Sequence, residues 1–410
     1  MRYRTHRGEK LSEIGLGCYA LSGAYGKKEA EPFVTLIRRA HDLGVTFFDT
    51  ADIYGPAEEV LGRAVAPFRD RVWIATKVGW GEEGKPDCSA EHVLSSCEQS
   101  LARLGTDYLD LYQIHFNDPQ TPIEETVEAL KQLQAAGKIR YYGVGHLPPD
   151  RMAEYMAAGE VFSALIELSA VARGALEHRL PLCRAHGVGA IAFSVTGRGL
   201  LTGKIKAGHT FEEGDIRRMD PLFQQERFAS GLRVAERLKA LGAKYDKTPA
   251  QVAIAWVLAQ PGIVCALTGP STIPHLEENL GGSGWSIEPD DLAAVEQFLT
   301  AEDERLRHTQ ALSLRTILTG SLEPESAFAD LVYVLETLAE GGLAAEQEVL
   351  PVFGKLMPLR GRPAAEALEA LQGIQAELRQ RFLPLVAAEP PSEPIPAPET
   401  ADSKIASRDE

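Results

Sequence analysis

Short runs of β-branched and aromatic residues alternate along the chain with longer segments whose apolar residues recur at helical spacing, most regularly from residue 31 onward. The runs predict eight strands, near residues 14–18, 45–48, 72–76, 108–113, 139–144, 162–167, 188–194 and 263–267. Eight strands separated by helices favour a closed parallel barrel, although a doubly wound open sheet shows the same alternation. We therefore predict the α/β class and a (β/α)8 TIM barrel.

The same residue types recur where the predicted helices end and begin. Gly44, Gly137 and Gly187 each precede a predicted strand, where a glycine suits the left-handed position that ends a helix. Thr121-Pro122-Ile123-Glu124 and Thr248-Pro249-Ala250-Gln251 each offer a capping hydroxyl, a proline and an acid or amide three residues later. Both segments predict helix starts.

The two ends of the chain differ from this rhythm. Residues 2–12 are compatible with a small hairpin that turns at Arg7-Gly8 and closes the barrel bottom, or with a disordered start. Beyond a barrel domain at 1–300, the pattern predicts a helical extension at 301–387 and a disordered, proline-rich tail at 388–410. The helical spacing is carried by Phe328, Leu331, Val332, Leu335 and Leu338, and again by Leu368, Leu371, Ile374, Leu378 and Phe382.

Composition narrows the classes of protein. The 410 residues carry a formal net charge of −16 without a basic patch, which argues against a nucleic-acid or anionic-membrane partner. Five scattered cysteines form no C-x-x-C pair, so neither a disulfide framework nor a zinc site is expected. Neither an apolar signal core nor a membrane-length apolar run is found, and we expect a cytoplasmic protein.

Four titratable residues follow successive predicted strands. Asp49 and Tyr54 come after VTFF, Lys77 after VWIAT and His115 after LDLYQI. The carboxyl ends of barrel strands lie on one face, so we expect the four side chains to meet. Each residue alone has an ordinary explanation, such as a carboxylate that caps a helix, a lysine that extends to the solvent or a histidine with satisfied hydrogen bonds. Together they predict a functional site, because buried charge has to be paired or functional.

These residue types suit proton transfer. A tyrosine has an unperturbed pKa of about 10 and is a slow acid–base group at neutral pH unless its phenolate is stabilised. A lysine cation supplies that stabilisation, an aspartate keeps the lysine charged, and a histidine shares the proton or polarises a carbonyl. None of the four residues donates hydride, so a reduction at this site requires a cofactor.

Six segments resemble the signatures of the aldo-keto reductase superfamily. They are D-T-A-D-I-Y-G at 49–55, A-T-K at 75–77, Y-Q-I-H at 112–115, G-V-G-H at 143–146, F-S-V-T-G-R-G-L-L-T-G-K at 193–204 and G-P-S-T-I-P-H-L-E-E-N at 269–279. The resemblance covers roughly residues 1–300 in family order. It implies a (β/α)8 barrel that binds NADP(H) across its top without a Rossmann motif, and no G-x-G-x-x-G follows a predicted strand.

By position, the resemblance makes Tyr54 the general acid, Lys77 and Asp49 the pair that tunes its pKa, and His115 the partner that orients the carbonyl. The cofactor-binding residues that it implies are His146, Phe193, Ser194, Gly197, Gly199, Lys204, Gly269, Ser271, His275, Glu278 and Asn279. Phe193 stands where the family stacks a ring on the nicotinamide, although a core aromatic at a strand end would look the same. No metal ligand is implied.

Around the nicotinamide the match departs from the family pattern. A Ser-Asn pair is replaced by Gly145-His146, and a glutamine in the sixth strand by Leu165. The resemblance then predicts His146 as the remaining contact to the carboxamide, with a structural histidine as the alternative. Ser169 is a second candidate for a hydrogen bond at this end of the cofactor.

At the adenosine end the match also departs. His275 replaces a frequent arginine or glutamine, and Gly269 a frequent lysine, so NADP(H) is predicted with NAD(H) as the alternative. The segment 205–230 resembles the family's strap over the cofactor, with Arg217 or Arg218 as candidates to reach the 2′-phosphate.

We predict an NADP-dependent aldo/keto reductase that converts an aldehyde or ketone to an alcohol, or runs the reverse reaction. The small-molecule pocket is expected to be lined by Tyr19, Tyr25, Trp80 and Phe116. One alternative is a cofactor-sensing regulatory subunit similar to potassium-channel β subunits, acting through the helical extension with weak or no turnover. That extension is also a candidate surface for self-association or for a protein partner.

A metal-dependent barrel hydrolase is a further alternative, with His115, His146 and Asp49 as ligands. The chain lacks an H-x-H pair and carries the tyrosine and lysine that such a site does not need, so this function is disfavoured.

Overall fold

A computed structural model describes residues 1–26, 28–81, 84–145, 147–340, 343–344 and 346–386. The chain divides into two compact units, Met1–Leu299 and Thr300–Glu410. The predicted tail at 388–410 lies outside the described residues. Within the part of the chain that is described, no helix has both the length and the apolar character needed to cross a membrane.

Eight parallel strands close into a barrel in the first unit. The strands of the described residues are β1 (Tyr3–His6), β2 (Glu9–Ser12), β3 (Ile14–Gly17), β4 (Phe47–Asp49), β5 (Trp73–Val78), β6 (Leu109–Ile114), β7 (Ile139–Gly145), β8 (Ser163–Glu167), β9 (Gly189–Phe193) and β10 (Ile263–Thr268). Strands β3 to β10 pair in chain order, and β10 pairs with β3 to close the barrel. The eight predicted strands correspond to these eight, and the predicted (β/α)8 barrel is confirmed.

Helices surround the barrel because each presents an apolar stripe to it. They are α1 (Ala30–Asp42), α2 (Ala57–Val65), α3 (Ala90–Leu104), α4 (Ile123–Ala135), α5 (Pro149–Ala158), α6 (Arg179–Ala185), α7 (Gln225–Tyr245), α8 (Pro249–Ala259), α9 (Ile273–Leu280) and the first part of α10 (Pro289–Thr319). In α1 the buried residues include Phe33, Leu36, Ile37 and Ala40, a spacing of three and four that places them on one helix face.

The predicted joints are present with one exception. Gly44, Gly137 and Gly187 have φ values of 92°, 72° and 62°, in the left-handed region that glycine adopts most easily. Thr248 and Gln251 form the predicted capping box at the start of α8. The predicted cap at Thr121 is wrong, because α4 begins at Ile123 and the Thr121 hydroxyl donates to Asp118 instead.

The N-terminal end of the barrel is closed by the antiparallel hairpin of β1 and β2, which the sequence left open against a disordered start. Leu11 of the hairpin packs with Phe47, Trp73, Leu111 and Phe162 inside the barrel. The hairpin is also held by polar contacts, since the His6 imidazole hydrogen-bonds the Phe162 carbonyl at 2.9 Å. The strands therefore leave only their carboxyl ends available for a site.

The second unit is helical and has its own core. Its helices are the remainder of α10 with α11 (Ala327–Glu340), α12 (Glu346–Leu356) and α13 (Ala364–Phe382). The two segments with predicted helical spacing lie in α11 and α13. Buried residues of this core include Leu314, Leu335 and Leu378. The Gln375 amide donates to the Gly320 carbonyl at 3.0 Å, which satisfies an acceptor at the end of α10.

Candidate active site

Three of the four predicted catalytic residues lie at the carboxyl ends of barrel strands. Asp49 is the last residue of β4, Lys77 lies near the end of β5, and His115 directly follows β6. Side chains alternate between the barrel interior and the helices along a strand, and the register aligns Lys77 with Gln113 on β6. Asp49, Lys77 and His115 are 5%, 1% and 3% exposed, so the barrel withdraws all three from water.

The Lys77 ammonium group lies between two acceptors. Its Nζ atom donates to Asp49 Oδ1 and to the Thr50 carbonyl, both at 2.6 Å. Burial by itself lowers the pKa of Lys77, but the charge of Asp49 and the Tyr54 phenol outweigh burial and raise it. Lys77 therefore stays protonated and carries a fixed positive charge into the site.

Tyr54 reaches this cation from the loop between β4 and α2. Its ring centroid lies 4.9 Å from Lys77 Nζ and 5.8 Å from the centroid of the His115 ring, which meets it edge to face. Burial raises the pKa of Tyr54 to about 12, while Lys77 acts to lower it. The contribution of the lysine has the direction expected from the sequence, but burial exceeds it. The Tyr54 hydroxyl is thus protonated at neutral pH, as a proton donor must be.

Two aromatic pairs flank Tyr54. Tyr19 meets the Tyr54 ring edge to face at a centroid distance of 5.0 Å, and Tyr25 meets Tyr19 in the same way at 5.8 Å. Phe116 directly follows His115, and its ring centroid lies 5.0 Å from that of Trp80. The structure brings the four residues expected to line a pocket to the neighbourhood of the tetrad.

The loop after β9 has an unusual backbone. Ser194 has a φ of 55°, and Gly197 and Gly199 have φ values of 57° and 94°, all in the left-handed region. A serine in this region costs free energy, and such strain is concentrated at functional sites. Phe193, directly before the loop, is half-buried and packs against the barrel interior. A tight, glycine-rich turn of this kind lets the backbone approach a phosphate closely.

The predicted pyrophosphate loop and adenosine motif meet through one ion pair. Lys204, at the end of the loop, places Nζ 2.6 Å from Glu278 Oε2 in α9. His275 is exposed in the first turn of α9, where its backbone N–H donates to the Thr272 hydroxyl oxygen. Gly269 and Ser271 lie in the short connection from β10 to α9, and Asn279 lies in the last turn of that helix. Segments some seventy residues apart are therefore adjacent.

Other candidates are placed differently. His146 lies outside the described residues, and it stays a prediction. The Ser169 hydroxyl oxygen accepts from the Val171 N–H at 3.3 Å within its own turn, and Leu165 is buried in the barrel core. Arg217 pairs with Asp215 at 2.6 Å rather than reaching toward α9.

Sequence reasoning missed Arg198. Its guanidinium joins Glu167, at the end of β8, to Asp220, with distances of 3.1 Å and 3.0 Å. The residue lies between Gly197 and Gly199 with a φ of 50°. An arginine between two glycines of a binding loop was the available signal, but its two partners lie far away in the sequence.

Similarity to known proteins covers the barrel unit of the chain. The model of the aldo/keto reductase family matches residues 13–300. The chain is 37% identical over 297 residues to the probable aldo-keto reductase 1 of Glycine max, covering 70% of this chain and 86% of that protein. It is 35% identical over 301 residues to the aldo-keto reductase YhdN of Bacillus subtilis (strain 168), covering 71% and 91%.

Solved structures of similar fold include two oxidoreductases. The glycerol dehydrogenase AKR11B4 from Gluconobacter oxydans superposes with a TM-score of 0.67 at 31% identity, covering 73% of this chain and 95% of that one. The holo form of the aldo-keto reductase AKR11C1 from Bacillus halodurans gives a TM-score of 0.62 at 27% identity, covering 72% and 96%.

Proposed function

This chain belongs to the aldo/keto reductase family of oxidoreductases, and on that basis we propose that it reduces an aldehyde or ketone to an alcohol with Tyr54 as the proton donor. The reverse oxidation uses the same groups. The observation that carries the proposal is the buried Lys77–Asp49 ion pair beside the Tyr54 ring.

The nicotinamide cofactor supplies the hydride when it is bound. The residues of the chain donate the proton and stabilise the group that loses it. As the carbonyl oxygen gains negative charge it takes the proton of the Tyr54 hydroxyl, and the resulting phenolate is stabilised by the Lys77 cation at the edge of the site. Asp49 holds that cation in place, and His115 is positioned by its ring contact with Tyr54 to orient the carbonyl.

The residues around the loop after β9 have the chemistry to hold a dinucleotide. In this proposal Phe193 stacks on the nicotinamide, and the backbone from Ser194 to Gly199 with the Lys204 cation holds the pyrophosphate. Gly269, Ser271, His275, Glu278 and Asn279 receive the adenosine end. His146, outside the described residues, remains the proposed contact to the carboxamide.

We further propose NADP(H) as the preferred cofactor, with NAD(H) as the weaker one. The exposed His275 supplies a hydrogen-bonding group at the adenosine end, beside the Lys204–Glu278 pair, although Gly269 carries no charge to add. The Lys204–Glu278 pair has to exchange partners when phosphate arrives, so the preference should be moderate.

We propose a neutral, small carbonyl compound as the substrate, since the wall beside Tyr54 is built from Tyr19, Tyr25, Phe116 and Trp80. A solved relative is named a glycerol dehydrogenase. Glyceraldehyde therefore belongs in a substrate panel beside aliphatic and aromatic aldehydes.

A cytoplasmic location is also proposed. All five cysteines are buried and free, as expected for a protein kept in a reducing compartment. Self-association or partner binding through the helices at 301–387 stays a prediction.

The Tyr54→Phe variant tests the reaction. Removing the hydroxyl should lower kcat by at least about a hundredfold, because general acid catalysis contributes that much or more. NADPH affinity, measured by protein fluorescence, should stay within about twofold. Tyr19→Phe is the matched control, since it removes a neighbouring phenol hydroxyl and keeps the ring contact with Tyr54. Equal turnover in Tyr54→Phe and the wild type would remove Tyr54 from the mechanism.

A further inference from the structure

Residues 205–224, the part of the 205–230 segment that precedes α7, form a strap that runs from the loop after β9 toward the loop after β3. The strap has its own apolar cluster, in which Ile205, Leu222 and Phe223 pack with Leu200. Its middle is attached by a backbone hydrogen bond of 2.8 Å from the Ile216 N–H to the Ala24 carbonyl. The strap therefore borders the aromatic side of the proposed carbonyl pocket as well as the phosphate loop.

Arg217 is a residue of the strap whose side chain contacts this aromatic side. Its guanidinium lies 5.2 Å from the Tyr25 ring centroid and 4.5 Å from that of Phe211. Both distances are within the range of a cation–π contact. The guanidinium is thus held between one ring of the strap and one ring of the pocket.

Asp215 fixes the orientation of that guanidinium. Arg217 donates from Nε to Asp215 Oδ1 at 3.0 Å and from Nη2 to Oδ2 at 2.6 Å, a bidentate pair. Burial alone would raise the pKa of Asp215, but the hydrogen bonds from Arg217 lower it. The carboxylate stays ionised, and it holds the guanidinium within reach of both rings.

The Tyr25 ring continues this contact to the catalytic tyrosine. Tyr25 meets Tyr19 edge to face, and Tyr19 meets Tyr54 edge to face, with centroid distances of 5.8 Å and 5.0 Å. Edge-to-face pairs hold their geometry because the ring quadrupoles attract in that arrangement. A displacement of Tyr25 is therefore transmitted to the wall beside Tyr54.

We propose that Arg217 is a positioning residue that sets the width of the carbonyl pocket by holding Tyr25, and through it Tyr19. This inference rests on the proposed function, because it concerns which carbonyl compounds reach Tyr54. Narrow aliphatic aldehydes pass the wall whatever its exact position. Wide aromatic aldehydes are limited by the position of Tyr25, so Arg217 restricts the enzyme toward narrow substrates.

The test compares Arg217→Met with Lys206→Met in the full chain. Lys206 is an exposed cation of the same strap, and its Nζ atom lies 3.3 Å from Glu236 Oε1 on α7. The ratio of kcat/KM for 2-naphthaldehyde to that for propanal should rise roughly fivefold in Arg217→Met, mainly through the KM of the wide substrate. Lys206→Met should keep the wild-type ratio. NADPH affinity should stay within about twofold in both variants.

A second pair of variants tests the same contact from the other side. Tyr25→Phe keeps the ring and should keep the wild-type ratio, whereas Tyr25→Leu should reproduce the effect of Arg217→Met. An unchanged ratio in Arg217→Met and Tyr25→Leu overturns the proposal. Equal losses on both aldehydes together with weakened NADPH binding also overturn it, because the strap would then act on the cofactor alone.

A binding measurement separates this inference from the reductase assignment. The affinities of the two aldehydes for the NADP⁺-loaded protein, followed by tryptophan fluorescence, should show the same change of ratio without any turnover. A wild-type protein that reduces neither aldehyde contradicts the proposed function, and the binding ratio of the variants still decides the role of Arg217.

Discussion

The two ends of the barrel use buried charge in different ways. At the closed N-terminal end, the Asp110 carboxylate accepts from the Ile74 N–H at 3.0 Å and lies 2.8 Å and 2.9 Å from the guanidinium nitrogens of Arg69 and Arg140. At the open carboxyl end, Lys77 and Asp49 form one fully buried pair beside a phenol. The first arrangement surrounds one anion with donors, and the second leaves a cation next to a group that can exchange a proton.

The difference shows which property of the protein each end of the barrel affects, stability or turnover. Guanidinium groups stay charged at any relevant pH and bind carboxylates in a fixed geometry, so the cluster around Asp110 contributes to stability. A lysine beside a tyrosine instead changes the free energy of one protonation state relative to the other. Substitutions at the closed end should change the free energy of unfolding, and substitutions at the open end should change turnover.

The largest effect is expected for Lys77→Met. Turnover should fall by at least about a hundredfold, since the Tyr54 phenolate loses its cation. The free energy of unfolding should also fall, by about 3 to 5 kcal/mol, because Asp49 is left buried without a counter-charge. Steady-state kinetics and urea denaturation measure the two effects.

The double variant Asp49→Asn/Lys77→Met separates them. Removing both charges should restore most of the lost stability, because the uncompensated carboxylate is gone, while turnover should stay low. Recovery of turnover in the double variant would show that the ion pair is structural, and the contrast between the two ends would disappear.

The next effect is expected at the closed end. Asp110→Asn should lower the free energy of unfolding by about 3 kcal/mol, because Arg69 and Arg140 lose a shared carboxylate that is only 1% exposed. Turnover of the folded protein should remain within about twofold. Asp107→Asn, at an exposed position nearby, is the control and should change stability little. A loss of turnover in Asp110→Asn as large as that in Lys77→Met would break the comparison.

The smallest effect is expected in the pH dependence of the reductive and oxidative rates. Burial raises the pKa of Tyr54 to about 12, so its hydroxyl stays protonated and kcat for reduction should be nearly constant from about pH 6 to 9. Oxidation needs the deprotonated phenolate, whose fraction grows about tenfold per pH unit below that pKa. The oxidative rate should rise accordingly when both directions are followed over the same range.

A different profile would identify another group. Burial, with help from the charge of Glu58, raises the pKa of Asp52 to about 7. A reductive rate that changes with a midpoint near that value, and becomes flat in Asp52→Asn, would show that Asp52 rather than Tyr54 governs the pH dependence.

Much of the fold could be read from local patterns. The eight strands, the glycine joints and the cap at Thr248 depend on residues within a few positions of each other. The same reasoning failed at Thr121, where the hydroxyl has two partners within reach and bonds to Asp118 rather than to the helix. The choice between a hairpin and a disordered start at 2–12 also depended on distant residues, since the hairpin is held by contacts such as that of His6 with Phe162.

The candidate site was predictable where strand ends define it. Asp49, Lys77 and His115 follow apolar strands, and parallel strands deliver their ends to one face. Arg198 and Arg217 were not predictable in the same way. Their partners are an acid at the end of β8, a residue of the strap and a tyrosine after β3, and sequence spacing does not specify such pairings.

The sequence by itself determined the alternation of strands and helices and the positions of Asp49, Lys77 and His115 at strand ends, because apolar periodicity and strand-end position are local properties. Only the tertiary structure decided that burial outweighs Lys77 at Tyr54, that Lys204 meets Glu278, and that Arg217 turns toward Tyr25. Desolvation and long-range ion pairing depend on what surrounds a group in space, and the closure of the barrel creates those surroundings.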